Sequence, residues 1–209
     1  DQKKLSYANI NGENVDIYNI RNIFYRNKTD FDVSHYNKSY NLNELKTLDY
    51  MVEELKGFPG FAHTLLSFGF ENGEYVAISV EIRKEKGESY SPITGLLNKF
   101  ELMYVIADER DVINLRVNHR NDTVYLYPIN ISKESLDKLF ISMLEKTNKL
   151  RDKPEFYNTF TSTCTTNLAE VASMSTNEKF FKYHYKILLP GFSDELLLER
   201  GLIKTDLKK

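Results

Sequence analysis

The chain has 209 residues, 41% of them hydrophobic, with 28 basic and 30 acidic side chains and one cysteine. This is enough for one sizeable core, leaves no electrostatic footprint for nucleic acid, and excludes an internal disulfide framework or a multi-cysteine zinc site. No apolar run approaches the length that crosses a bilayer. The chain begins Asp1, Gln2, Lys3, Lys4 rather than with methionine, and reads as a processed product from which a signal or anchor segment has been removed.

In chain order, the stretch Tyr7 to Tyr18 has Asn11-Gly12 between two β-prone runs, a tight-hairpin signal. Residues 26 to 41, rich in Asn, Asp and Tyr, read as an ordered surface loop. Leu48, Tyr50 and Val52 alternate with Asp49, Met51 and Glu53, which favours a strand, although Glu44 to Leu55 also fits a helix. Gly57, Phe58, Pro59 and Gly60 break the chain. The clearest hairpin follows, Ala62 to Phe70 and Tyr75 to Arg83 around Asn72-Gly73. A charged loop from Lys84 to Ser91 and a short helix near Pro92 to Lys99 come next. Leu102 to Ala107 is almost continuously apolar, as a buried central strand would be.

Asp108 to Asp111 can cap a short helix, and Thr123 to Tyr127 reads as a further strand. Ser132 is a candidate N-cap for the best helix, whose apolar residues Leu136, Leu139, Phe140, Met143 and Leu144 recur at three- and four-residue spacing. After Ser173 the tail is polar and then mixed, with a final short helix around Asp194 to Arg200. The fold class is α+β: an antiparallel sheet with packed helices in a single domain, 1–209, with a core over 17–170 and a variable-looking tail over 174–209.

The cysteine, Cys164, lies among five threonines and a serine, ahead of Leu168, Val171 and Ala172. A helix starting there buries that stripe and leaves the thiol at the helix N-terminus, where unpaired N–H groups and the positive dipole end favour thiolate. A nucleophilic cysteine needs a base. Of the four histidines, His35 lies in the polar loop, His119 in a solvated turn and His184 in the tail, whereas His63 opens a strong strand directly after the Gly-Pro-Gly break. A third polar group orients the imidazole, and Glu81, on the paired strand, is the candidate. A two-residue turn at Asn72-Gly73 would set His63 opposite Ile82 and exclude Glu81; a three-residue loop or a bulge would set it opposite Glu81. Against these stand plainer roles: an inert packing cysteine, a strand-end histidine, and a Glu81 paired with Arg83 or Lys84. No cofactor motif and no metal-ligand spacing is present. Arg110, Arg116 and Arg120 could collect a phosphate head group, although scattered arginines are more often surface ion pairs.

The blocks Ala62–Phe70, Ser79–Glu85, Ala107–Asp111 and Phe156–Thr159 with Cys164–Asn167 resemble, in that order, the Lnb N-terminal periplasmic domain family, over about residues 17 to 170. The resemblance implies a circularly permuted papain-like fold in a bacterial envelope protein, located in the periplasm or cell envelope. Its named member is a lipoprotein N-acyltransferase that moves an acyl chain from phospholipid to an amino group. Carried over by position, Cys164 is the nucleophile, His63 the base and Glu81 the third polar group. Family members carry Asn immediately before the cysteine, where this chain has Thr163. Phospholipid and lipoprotein are the implied substrates, with a membrane surface as a further partner; Phe58, Phe61 and Leu65 to Phe70 are then candidates for a lipid-facing rim, although most of them suit the core better. Two other functions compete: an envelope thiol peptidase or amidase with the same machinery, and a non-catalytic binding module that uses its 14 tyrosines.

Overall fold

A computed structural model describes residues 3–55, 60–84 and 98–203. Among the described residues ten strands form in chain order: β1 (Tyr7–Asn11), β2 (Asn14–Arg21), β3 (Phe24–Tyr25), β4 (Phe31–Asp32), β5 (His35–Asn41), β6 (Leu45–Glu54), β7 (Ala62–Phe70), β8 (Tyr75–Arg83), β9 (Glu101–Asp108) and β10 (Val124–Pro128). Eight of them make one sheet in the order β1-β2-β9-β8-β7-β6-β10, with β5 paired to β2. All its ladders are antiparallel except one parallel pairing, Arg21 with Ala107. The α+β class with an antiparallel sheet is therefore present.

Helices cover both faces of the sheet. Helix α1 (Glu109–Asn114) continues as a π-helical turn, Leu115–His119; α2 (Lys133–Asp152), α3 (Cys164–Ser175), α4 (Tyr185–Leu188) and α5 (Ser193–Glu199) follow. Residues such as Leu66, Phe68, Ile78 and Ile106 face α2 and α3 and join Leu139, Phe140, Met143 and Leu168 in the larger core. Leu65, Ala77, Met103 and Val105 point the other way, onto Val112 of α1. This two-sided burial explains why β7 to β9 read as unbroken apolar runs rather than alternating ones.

Local chemistry sets the ends of these elements. Gly12, at φ +59, takes the first central position of the β1–β2 turn, so the two turn residues are Gly12 and Glu13, one later than Asn11-Gly12 implies. Ser132 caps α2 by accepting from the Ser135 N–H, and Asp108 caps α1 by accepting from Arg110. Residues 45–54 resolve to a strand, with Leu42–Glu44 as a single 3-10 turn before it.

The reading of 26–41 as a loop is corrected. It contains β4 and β5, and the short hairpin between β3 and β4 is held by the Asn27 side chain, which accepts from the N–H groups of Thr29 and Asp30. Polar, aromatic residues hid an edge strand, because β5 is solvated on one side and pairs through its backbone. The Gly57 to Pro59 break, most of the charged loop after Lys84 and most of the helix near Pro92 lie outside the described residues. Leu65 to Phe70 are buried in the core rather than on a rim, while Phe61 is 41% exposed.

Candidate functional site

The β7–β8 hairpin decides where Glu81 points. Phe70 N–H donates to the Glu74 carbonyl at 2.9 Å and Gly73 N–H to the Phe70 carbonyl at 3.0 Å, so the loop is Glu71, Asn72 and Gly73, with Gly73 at φ +80. This is a three-residue hairpin ending on a left-handed glycine. The register it sets, Gly69 with Tyr75 through Leu65 with Ser79, puts Glu81 in phase with His63 two residues beyond the last pair. The two side chains share a face, with His63 Nε2 3.3 Å from Glu81 Oε1.

The β7–β8 pairing stops at Leu65–Ser79, yet β7 goes on pairing with β6 to Ala62 and β8 with β9 to Arg83. The sheet therefore opens between its two middle strands, and His63 stands on one lip with Ser79 and Glu81 on the other. Ser79 Oγ bridges them, 2.7 Å from His63 Nε2 and 2.8 Å from Glu81 Oε1. Sequence reasoning missed Ser79, although it lies two residues before Glu81 and so on the same strand face.

Helix α3 delivers the thiol from the opposite face. Thr163 is its N-cap: the Thr163 hydroxyl accepts from the Thr166 N–H at 3.2 Å, and Thr166 Oγ1 accepts from the Thr163 N–H at 2.7 Å. This reciprocal capping box pins Cys164 as the first helical residue. The departure from Asn at 163 thus keeps a residue that caps well. Cys164 Sγ lies 3.6 Å from Thr165 Oγ1, and Thr165 Oγ1 lies 3.0 Å from Thr64 Oγ1 on β7. Since Nε2 of His63 is engaged by Ser79 and Glu81, Nδ1 is the nitrogen left to face the thiol.

Electrostatics couple the three groups. Burial would push the Cys164 thiol up, but the hydrogen bond and charge of His63, helped by Thr165 and the Thr64 backbone, bring it from 9.0 down to about 7. Burial alone would lower His63; the Glu81 carboxylate and the thiol outweigh it and raise the imidazole to about 10. Burial likewise works against the charge of Glu81, which His63 and Arg116 hold well below the usual carboxylate range. These shifts all favour the thiolate and imidazolium forms, with the carboxylate behind them.

Behind Glu81 lies a buried ion cluster. Arg116 is 4% exposed and donates through Nη2 to Glu81 at 3.1 Å, through Nε to Glu53 at 2.6 Å and through Nη1 to the Val112 carbonyl at 3.0 Å. Its place in the π-helical turn after α1 aims it at the sheet. Arg120 reaches Glu53 at 3.4 Å, and Arg110 stacks over Phe24 and donates to Asn22. The three arginines are thus engaged with the protein, and Arg116 is not a surface residue.

The remaining histidines serve elsewhere: His184 caps α4, His119 packs on Tyr25, and His35 pairs with Arg21 in the sheet. Among the described residues, no group of three His, Cys, Asp or Glu side chains is placed to hold a metal ion. No described helix is long and apolar enough to cross a membrane.

Neither a curated protein nor a solved structure matches the chain. The profile of the Lnb N-terminal periplasmic domain matches residues 32–191, more than half of the chain and well into the tail beyond Ser173. With four sequence blocks in order, three of them converging on one opening in the sheet, the chain belongs to the Lnb N-terminal periplasmic domain family.

Proposed function

We propose that this domain is a cysteine-dependent acyltransferase of the cell envelope, taking an acyl chain from a phospholipid ester and passing it to a lipoprotein amino group. The observation that carries this is the Cys164 thiol at the N-terminus of α3, coupled to a His63 whose other nitrogen is held by Ser79 and Glu81. The donor and acceptor are proposed by analogy with the family's named member.

The Cys164 thiolate attacks the ester carbonyl carbon, forming the C–S bond and a tetrahedral oxyanion. In the first turn of α3 the Thr166 and Asn167 N–H groups are taken by Thr163. The N–H groups of Cys164 and Thr165, which have no intrahelical acceptor, are the ones that would hold the oxyanion. As the C–O bond breaks, the His63 imidazolium gives its proton to the leaving alcohol, and a thioester remains. The neutral imidazole then takes a proton from the incoming amine, the amine attacks the thioester, and the thiolate leaves. Ser79 and Glu81 keep the ring oriented through both half-reactions, and Glu81 stays ionised opposite the imidazolium.

Intact-protein mass spectrometry after incubation with phosphatidylglycerol vesicles tests this. The expected result is an acyl adduct on Cys164, removed by hydroxylamine and lost in Cys164→Ser and His63→Ala. A folded protein that acquires no adduct would sink the reading. Release of amine from an envelope peptide without acyl transfer would replace it with the thiol amidase.

A further inference from the structure

A cavity of about 230 Å³ opens at Thr165, the residue after the thiol, between the sheet, α2, α3 and the C-terminal segment. Its walls are apolar, with Leu66 from β7, Leu139 from α2, Leu168 and Ala172 from α3, and Ile187 and Leu196 from the tail. We propose that it receives the hydrocarbon chain of the acyl group carried on Cys164. This rests on the acyl-transfer reading above and supplies the place where the chain goes.

Three observations converge. The first is position: Thr165, which lines the cavity, also stands 3.6 Å from Cys164 Sγ, so one residue joins the reacting atom to the cavity. The second is length. The α3 side of the wall is Thr165, Leu168, Ala169, Ala172 and Thr176, a single stripe along one helix face. Eleven residues of helix rise about 16 Å. One acyl chain spans half of a hydrocarbon core of about 30 Å, so the two lengths agree. The third is polarity. The hydroxyls on the wall are already satisfied, Tyr50 donating to Ser193 at 2.8 Å and Thr165 pairing with Thr64 at 3.0 Å, so they do not call for a polar guest. Polar, exposed side chains, Asn130, Ser132 and Asn177, gather on the rim.

The tail beyond Ser173 acquires a role in this arrangement. Ile187, Ser193 and Leu196 close the side of the cavity that the sheet and the two long helices leave open.

The test separates the cavity from the chemistry by using Cys164→Ala, which binds without reacting. Fluorescence titration with dansyl amides of alkylamines, from butyl to hexadecyl, should show affinity rising about three- to fourfold per added methylene until the cavity is full. Filling it with Ala172→Phe, or more mildly with Ala169→Leu, should weaken the long chains by about tenfold or more, while leaving the butyl probe and the rate of Cys164 alkylation by iodoacetamide in the otherwise native protein unchanged. Affinity independent of chain length, or long-chain binding unaffected by both fillers in folded protein, would overturn the proposal. Length-dependent binding in a protein whose native thiol forms no thioester would keep the cavity assigned and remove the acyl-transfer reading instead.

Discussion

His63 and Glu81 stand 3.3 Å apart because the hairpin that joins their strands turns through three residues and ends on a left-handed Gly73. A side chain at 73 would meet no atom within 4 Å, so the need for glycine there is one of backbone alone. Gly73→Ala should cost roughly 1–2 kcal/mol of stability. Urea denaturation checks the value, and a neutral result would show that the turn adopts another form.

The thiol should titrate early. Alkylation of Cys164 by iodoacetamide should rise through pH about 7 and then stay level, because the thiolate form is already favoured there. His63→Ala removes the hydrogen bond and charge that do most to lower the thiol, leaving burial opposed only by Thr165 and the Thr64 backbone, so the midpoint should move up. Transfer activity needs the imidazolium as well as the thiolate. It should appear as pH rises through about 7 and fall as His63 deprotonates near about 10, a bell whose limbs belong to the pair. Alkylation against pH in both proteins decides the first part, and an unshifted midpoint in the variant would break the pairing.

Arg116→Met should be severe. Glu53, 1% exposed, would keep only Arg120 at 3.4 Å, and Glu81 would lose a partner. Breaking a buried pair from one side costs about 3–5 kcal/mol. Arg116→Lys keeps the charge but cannot span Glu53, Glu81 and the Val112 carbonyl together, and should recover only part of that loss. Chemical denaturation orders the three proteins, and equal stability of Met and wild type would show that the cluster contributes nothing net.

Thr163→Ala should cost about 1 kcal/mol through the lost cap of α3, whereas Thr163→Asn should stay within a few tenths. Thermal unfolding measures both. A large loss with Asn would mean that the reciprocal bond from Thr163 N–H to Thr166 Oγ1 depends on threonine at 163.

Much of this domain is written in local pattern. The apolar spacing from Leu136 to Leu144, the Ser132 cap, the β-rich arms around Asn72-Gly73 and the polar run before Cys164 each act over a few residues, and each produced the element expected of it. Local pattern also placed Cys164 at a helix start, because a cap and a hydrophobic stripe suffice to define one. It failed for β5, whose polar residues owe their conformation to β2 alongside.

Contacts between distant segments decided the rest. Whether His63 faces Glu81 or Ile82 depended on one residue of loop, since a strand's side chains change face with every step. Arg116 looked like a surface arginine because nothing near it in sequence says that Glu53 and Glu81 converge on it; only the stacking of the α1 extension on the sheet buries all three. The cavity that opens at Thr165 is walled by the sheet, two helices and a tail far apart in the chain, and a void belongs to no single segment. The sequence on its own determined the long helices, the central strands and the candidates Cys164, His63 and Glu81. The tertiary structure alone decided which of those groups meet, because register, burial and cavities arise only when segments pack against each other.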